Sequence, residues 1–398
     1  MQRRGQHCHG NVASASTNTS DMKRIVLVTD GITPHVTGGM QRHSKNLLDL
    51  LLKLGWHVLL IHPRIDGLNE REVKAGLNAQ TDALTVSLVG WKKYSWLPGG
   101  YILENWVFSR MCKNEISRNS EYKSVPVISK GMTGLALVQS RNVWINLHGY
   151  EMYQKQFSLL GSLQSLMLRF PVMYLHRFAR GYFSYGKGIT RICEKAGISR
   201  SKQIEIPGAV DESWIVKDIA AKAPSGSGLN FVFVGRNERR KGLEELMRAW
   251  EVLQPSESSL SLVGPHAPET WGHPKNVSFA GEIHDSESIQ KILDANDVLL
   301  CPSYSEGMPN VIMEGMARGL AVIATDVGAV STLVDDGNGI LLPEVSVSGI
   351  AKAMKQLETM NDEQMHELKT TSLQRIKRFT WRALEPSYQR FLDARFSD

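Results

Sequence analysis

Residues 298–328 have the sequence VLLCPSYSEGMPNVIMEGMARGLAVIATDVG, and this segment decides the predicted fold. It opens with four apolar residues that end at Pro302, which is typical of a buried parallel strand. Pro309 suits the first turn of a helix, because an amide at that position would lack a partner anyway. The helix is predicted to end with Gly319 as its C-cap, and residues 320–325 to form the next buried strand.

A strand, a loop and a helix in this order place free backbone N–H groups at the carboxyl edge of a parallel sheet. Ligands of open α/β sheets bind at that edge, and the helix dipole favours an anion. Glu306 precedes the helix and Glu314 lies about one turn inside it, where carboxylates can accept hydrogen bonds from sugar hydroxyls. The pattern predicts a hexose on one Glu, a ribose on the other and a diphosphate on the amides between them. The amides expected to face the anion belong to Gly307, Met308, Asn310 and Val311.

Glu306-x7-Glu314 encloses Gly-Met-Pro-Asn and is followed by Gly-Leu-Ala-Val-Ile-Ala-Thr. This pattern resembles the signature of the family 4 retaining glycosyltransferases of the GT-B fold, over roughly residues 24–391. The resemblance implies that Glu306 contacts the donor hexose and Glu314 the ribose of the nucleotide. It also implies an α/β protein with two Rossmann-like parallel-sheet domains facing a cleft and a C-terminal helix crossing back. The alternation of strands and helices supports parallel sheets independently.

The expected organisation has four parts. Residues 1–21 are polar without periodicity and are predicted to be a disordered tail. Residues 22–207 form an N-terminal acceptor-binding domain, and residues 208–378 form a C-terminal domain that binds the nucleotide sugar. Residues 379–398 form the helix that returns to the first domain.

Two places in the first domain are candidate donor contacts. Gly38 and Gly39 follow the first predicted strand, and without side chains they let the backbone approach a phosphate. Ordinary turn geometry is the alternative for paired glycines, but the resemblance implies the donor loop. His148 follows the predicted strand 143–146 directly. A His at a strand end is most often a hydrogen-bonded structural residue, whereas the resemblance implies a contact with the donor sugar.

Two cations in the second domain are candidates for the diphosphate. Arg236 and Lys241 flank a loop between a buried strand and a helix, so both can reach one pyrophosphate. The spacing Gly-Arg-x4-Lys-Gly resembles the family's diphosphate loop. The nucleotide base is expected near Glu282 and Ile283, through backbone contacts.

Composition excludes few classes of protein. The chain has 398 residues, a net charge of +6 and a pI of about 9.0, which fits an anionic donor, an anionic membrane surface or ordinary surface variation. The sequence contains no run of 18 apolar residues, so it predicts no transmembrane helix. The four cysteines lack metal-ligand spacing and are predicted to be reduced thiols in the cytoplasm.

Two segments mix aromatic or apolar residues with basic ones. Residues 91–98 suit either a membrane interface or acceptor surface, or a loop whose aromatic side chains anchor it to the core. Residues 159–182 are predicted to form one or two helices interrupted at Pro171. A buried helix with its basic groups in water is favoured there over a face toward lipid or acceptor. Peripheral contact with the inner face of a membrane is therefore one expectation for the chain.

The predicted function is retaining transfer of a sugar from a nucleotide diphosphate sugar to a hydroxyl acceptor. A saccharide or a lipid-linked acceptor of cell-surface polysaccharide or lipopolysaccharide biosynthesis is expected. His148, Glu306, Arg236 and Lys241 are the candidate catalytic residues. No cofactor, metal or nucleic acid is expected, because cations and amides would stabilise the leaving group and the chain has no Asp-x-Asp motif. The alternatives are a GT-B phosphorylase or nucleotide-sugar epimerase, and a non-catalytic nucleotide-sugar-binding subunit.

Overall fold

Two parallel sheets form the framework of the protein, as the alternating sequence pattern predicts. The computed structural model describes residues 22–79, 81–97, 99–219, 228–272 and 274–396. The expected tail at 1–21 lies outside the described residues. None of the described helices is long and apolar enough to span a bilayer.

The first sheet has seven parallel strands in the order β3-β2-β1-β4-β5-β6-β7. Its strands are β1 (Arg24–Val28), β2 (His57–Pro63), β3 (Leu84–Val89), β4 (Val127–Lys130), β5 (Val143–Asn146), β6 (Gly181–Ser184) and β7 (Gln203–Glu205). The helices between them are α1 (Gly39–Lys53), α2 (Glu70–Gly76), α3 (Gly100–Arg118), α4 (Leu159–Phe178) and α5 (Lys187–Lys195). The strand order reverses between β1 and β4, and such a switch point opens a crevice at the carboxyl ends of the strands.

The second sheet has six parallel strands in the order β10-β9-β8-β11-β12-β13. Its strands are β8 (Asn230–Val234), β9 (Ser259–Val263), β10 (Val277–Gly281), β11 (Val298–Cys301), β12 (Ala321–Thr325) and β13 (Gly339–Leu342). Its helices are α6 (Leu243–Leu253), α7 (Ser286–Asp294), α8 (Asn310–Ala317), α9 (Val330–Leu333), α10 (Val347–Glu358) and α11 (Asp362–Ile376). Here the order reverses between β8 and β11, so the loops after these strands lie at the second switch point.

The last helix, α12 (Trp381–Phe396), crosses back to the first domain as the fold class predicts. Its side chains Trp381, Tyr388 and Phe391 are buried in the same apolar cluster as the residues of β1 and β2. The ring of Phe391 meets that of Trp144 edge-on, with 5.0 Å between the centroids. This packing ties the C-terminal segment to the first sheet through apolar burial.

Three local expectations are corrected by the structure. The helix α4 runs through Pro171 without interruption and ends at Phe178, so that Tyr182 belongs to a strand. Pro171 removes one backbone hydrogen bond, but its ring is buried, and burial in the core offsets that loss. Pro309 is the N-cap of α8 rather than its first helical residue. The prediction that α4 is a buried helix is also wrong, since the apolar side chain of Leu159 is 91% exposed.

Candidate active site

A cleft between the two sheets holds most of the predicted site residues. It has a volume of about 400 Å³ and lies where the loops at the carboxyl ends of both sheets meet. The predicted residues that line it are Gly38, Gly39, His148, Arg236, Lys241, Glu306, Gly307, Met308, Asn310, Val311 and Glu314. The cleft therefore brings together residues that lie up to 276 positions apart, from Gly38 to Glu314.

Glu306 and Lys241 form the polar centre of this cleft. Glu306 follows β11 and Lys241 ends the loop after β8, so the two adjacent strands of the switch point deliver them to one place. Lys241 Nζ lies 2.6 Å from Glu306 Oε1, and the side chains are 16% and 8% exposed. Arg240, which was not among the predicted site residues, places Nη1 3.8 Å from the other carboxylate oxygen of Glu306. Arg240 also pairs with Glu238, with 2.7 Å between Nε and Oε2, so the two cations at this centre are held by carboxylates.

Arg236 lines the same cleft, but its guanidinium points toward solvent. Its Nη2 lies 2.9 Å from Glu238 Oε1, and the Arg236 side chain is 70% exposed. An exposed pair of this kind contributes about 0–1 kcal/mol, so exchanging Glu238 for a ligand phosphate costs little. The expected contact between Arg236 and a diphosphate therefore requires only a side-chain rotation.

Glu314 lies on the first turns of α8 and is paired across the domain boundary. Arg42 on α1 places Nη1 2.5 Å from Glu314 Oε1, and the Glu314 side chain is 11% exposed. Burial raises the pKa of the Glu314 carboxyl, and the Arg42 charge opposes that rise. The carboxylate predicted to bind a ribose thus already has a partner in the first domain.

Backbone groups from both domains surround the space between these side chains. α1 begins at Gly39 and α8 at Asn310, so each helix turns its N-terminal N–H groups toward the cleft. Gly38 has a φ of +153°. A Cβ on Gly39 would lie 2.8 Å from Asn310 Nδ2, and one on Gly307 2.7 Å from the carbonyl oxygen of His148. The two domains therefore approach closely, and at Gly307 the neighbour is a backbone oxygen, which leaves no room for a side chain.

The Met308 side chain takes part in the same close approach. Its Sδ accepts a hydrogen bond of 3.0 Å from the Gly208 backbone N–H, and the side chain is buried. Val311 borders the cleft one residue inside α8.

His148 emerges at the carboxyl end of β5, as predicted, in a left-handed conformation with a φ of +63°. Its backbone N–H donates to Asn146 Oδ1 at 3.1 Å, and its Nδ1 shares a hydrogen bond with the Tyr185 hydroxyl. Burial, followed by the charge of Lys130, lowers the pKa of His148 well below the ordinary value. Its Nε2 is buried without a partner among the described residues, which leaves a polar atom available for a ligand.

A second histidine, His43, stands beside His148 with 5.2 Å between the ring centroids. Lys130 Nζ lies 2.8 Å from His43 Nδ1, and the Lys130 side chain is fully buried. Burial lowers the pKa of Lys130 to about 7, and the nearby Asp30 charge opposes the shift. His43 Nε2 also lacks a partner in the part of the chain that the structure describes, so this edge of the cleft presents two such imidazole nitrogens.

Glu282 and Ile283 are the two predicted site residues that do not line the cleft. They follow β10, which is the outermost strand of the second sheet. The Ile283 side chain packs against the main apolar cluster. Their expected contact with a nucleotide base stays a prediction.

Sequence reasoning missed five functional candidates: Arg42, His43, Lys130, Tyr185 and Arg240. Two signals were available, because Arg42 and His43 follow the paired glycines within about one helical turn, and Arg240 belongs to the same basic run as Lys241. Tyr185 had no local signal. Among the described residues, no group of three His, Cys, Asp or Glu side chains is placed to hold a metal ion.

Comparisons of sequence agree with this geometry. Residues 228–359 match the family model described as Glycosyl transferases group 1. A putative teichuronic acid biosynthesis glycosyltransferase of Bacillus subtilis is 36% identical over 127 residues, which is 32% of each chain. A phosphatidyl-myo-inositol mannosyltransferase of Mycolicibacterium smegmatis is 26% identical over 204 residues, covering 48% of this chain and 51% of that one. The matched region thus spans about a third of the length of the first relative and about half of the second.

Comparisons of structure extend over nearly the whole chain. Sucrose-phosphate synthase from Thermosynechococcus elongatus has a TM-score of 0.77 at 18% identity, covering 94% of this chain and 99% of that chain. Anabaena HepE, solved in complex with UDP, has a TM-score of 0.68 at 16% identity, covering 94% and 100%. Residues 228–359 thus resemble the group 1 glycosyl transferases, and the chain as a whole has the GT-B fold.

Proposed function

We propose that the protein is a retaining glycosyltransferase of family 4 that moves a sugar from a nucleotide diphosphate sugar to a hydroxyl acceptor. The observation that carries the proposal is the meeting of Glu306, Glu314 and Lys241 with two helix N-termini in one interdomain cleft. Carboxylates suit sugar and ribose hydroxyls, and cations with free amides suit the diphosphate between them.

In this proposal Glu306 accepts hydrogen bonds from the hexose and Glu314 from the ribose, displacing Arg42. Lys241, Arg240 and Arg236 neutralise the diphosphate together with the N-termini of α1 and α8. The bond from the anomeric carbon to the phosphate oxygen breaks, and a bond from that carbon to the acceptor oxygen forms. The acceptor proton passes to the departing diphosphate oxygen. Because charge grows on the diphosphate, preorganised cations act most strongly in the transition state.

His43 and His148 line the first-domain side of the cleft, and the Nε2 atom of each lacks a hydrogen-bond partner among the described residues. We place the donor sugar against His148, and no cofactor or metal is included in the proposal. The acceptor is proposed to be a saccharide or a lipid-linked saccharide of surface polysaccharide synthesis, for which the name of the Bacillus subtilis relative is the support. A cytoplasmic location is part of the proposal, since Cys112, Cys193 and Cys301 are buried free thiols.

The test is release of nucleoside diphosphate from a panel of UDP-, GDP- and ADP-sugars with hydroxyl acceptors. The product anomer is assigned by NMR, and inversion would refute the retaining mechanism. Glu306→Gln should keep nucleotide binding, measured by thermal shift, but lose transfer. Glu287→Gln is the matched control, because Glu287 also pairs with a lysine, Lys291, but lies on α7 with its side chain 79% exposed.

Other outcomes of the same panel identify the rival functions. Phosphate-dependent release of a sugar phosphate would indicate a phosphorylase, and an altered sugar on the recovered donor an epimerase. Nucleotide-sugar binding without turnover of any donor would favour a non-catalytic subunit. Each of these results would overturn the proposed transfer reaction.

A further inference from the structure

One face of α4 is apolar and open to solvent. The exposed side chains are Leu159 (91%), Leu160 (79%), Leu163 (57%), Leu166 (51%), Phe170 (66%) and Met173 (56%). At about 100° per residue they fall within an arc of about 140° around the helix. The opposite side is occupied by buried residues such as Val172 and Leu175. The helix therefore packs one apolar face on the domain and presents a second one to solvent.

Aromatic side chains extend this surface beyond the helix. A Cβ on Gly99 would lie 3.2 Å from Met167 Cε, so the loop that precedes α3 lies against α4. In the same region Trp96 is 75% exposed and Tyr101 is 49% exposed. We call the exposed face of α4 together with Trp96 and Tyr101 the α4 surface. Exposed apolar side chains clustered in this way mark an interaction site.

Charge indicates which partner fits the α4 surface. From residue 152 to residue 193 the chain contains no Asp or Glu and six Lys or Arg residues. Residues 91–103 likewise contain no acidic residue and include Lys92 and Lys93, of which Lys93 pairs with the buried Glu104 at 3.5 Å. A second copy of the same surface would bring basic groups against basic groups, which opposes a symmetric dimer. Anionic lipid headgroups are complementary to this charge, and Trp and Tyr favour the interface between headgroups and acyl chains.

We propose that the α4 surface docks on an anionic lipid bilayer and lies in its interface. α4 has 20 residues and so is about 30 Å long, with an apolar face that would enter the bilayer by about 5–10 Å. The helix starts a few residues after Gln154, whose side chain bonds to the backbone of Glu306 in the cleft. The docked protein therefore holds its cleft near the bilayer surface. This inference does not depend on the reaction proposed above.

The test is flotation of the full chain with vesicles of pure phosphatidylcholine and of equimolar phosphatidylcholine and phosphatidylglycerol. The protein is expected to float with the anionic vesicles, and more weakly at high salt, where surface charges are screened. The variant Leu160→Glu/Phe170→Glu should lower the affinity for vesicles on the order of a hundredfold, because two apolar side chains are no longer transferred from water into the bilayer. Leu160→Gln/Phe170→Gln repeats the test without adding charge.

The matched control is Val252→Glu, because Val252 is 70% exposed on α6 of the second domain. It should float like the unchanged protein. Absence of flotation of the unchanged protein would overturn the proposal, and so would undiminished flotation of both α4 variants. A dimer in light scattering that dissociates in these variants would show that a second copy covers the surface, and would also overturn it.

Discussion

The pair formed by Lys241 and Glu306 gives the sharpest prediction. We expect Lys241→Ala to reduce turnover by about 10²–10³-fold. Lys241 Nζ lies 2.6 Å from Glu306 Oε1 in a cleft where the two side chains are only 16% and 8% exposed. A preorganised cation in such a site contributes about 3–4 kcal/mol to a transition state that develops negative charge.

The same substitution should also lower stability. Without Lys241, the Glu306 carboxylate keeps Arg240 nearby, with Nη1 at 3.8 Å. A buried charged group that loses its closest partner costs about 1–3 kcal/mol. The free energy of unfolding, from urea denaturation, should fall by this amount while the far-UV circular dichroism spectrum stays unchanged.

Lys291 provides the matched control. Its Nζ lies 2.8 Å from Glu287 Oε1, which is nearly the same distance, but the side chains are 72% and 79% exposed on α7. Lys291→Ala should leave both stability and turnover nearly unchanged, because an exposed ion pair is screened by solvent.

The assay is initial-rate release of nucleoside diphosphate at saturating donor, with each variant compared to its own unfolding curve. Lys241→Arg keeps the charge and should recover part of the rate. Turnover of Lys241→Ala within about threefold of the unchanged protein, a loss of less than about 1 kcal/mol, would refute the assignment of this cation to the leaving group. An equal loss in Lys291→Ala would show that any loss of a lysine lowers the rate, and would refute it as well.

Three further predictions concern the domain contact, the nucleotide site and the pH dependence of stability. Gly307→Ala places a methyl group 2.7 Å from a backbone oxygen of the first domain, and should lower the free energy of unfolding by about 1–3 kcal/mol. Gly90→Ala, whose methyl would meet a flexible side-chain end at 3.5 Å, should have little effect in the same denaturation. Arg42→Met removes the charge that opposes the rise in the pKa of the Glu314 carboxyl, so that this carboxyl becomes protonated at a higher pH. UDP binding, measured by calorimetry, should therefore weaken earlier in the variant than in the unchanged protein as the pH is lowered. Burial lowers the pKa of His62 and of His176 from 6.5 to about 4. Between pH 4 and 6.5 the unfolded state therefore binds more protons than the folded state, and the stability present above pH 6.5 should be lost as the pH falls toward 4. The loss should reach up to about 1.4 kcal/mol per pH unit for each ring. Replacement of His62 or His176 by Gln should make the free energy of unfolding less dependent on pH in this range.

The Arg42–Glu314 contact gives the cleft a property that neither domain has alone. The carboxylate predicted for the ribose is occupied by a cation of the opposite domain at 2.5 Å. A nucleotide that takes over Glu314 therefore exchanges an interdomain ion pair for ligand hydrogen bonds. If Glu314 binds the ribose as proposed, this exchange would couple donor binding to the relative position of the two domains.

Much of the second domain was predictable because its signals are local. β11 has the predicted bounds, since a short apolar run that ends at a proline is a property of neighbouring residues. The region from 64 to 125 was harder, because α2 and α3 interrupt a stretch of mixed composition. Lys130 ends an apolar strand but was not predicted as a site residue. Its place in the site depends on a contact with His43, which is 87 positions away in the sequence.

The sequence by itself determined the two sheets, the helix starts at the carboxyl edges of their strands, and part of the set of residues that line the cleft. Periodicity, proline positions and glycine positions carry this information, since each acts on the backbone within a few residues. The tertiary structure decided which of these groups are paired: Arg42 with Glu314 across 272 positions, and His148 with Tyr185. It also decided that one apolar face of α4 stays open to solvent. Such outcomes depend on how whole elements dock, because burial and ion pairing are set by surfaces that meet only in the folded chain.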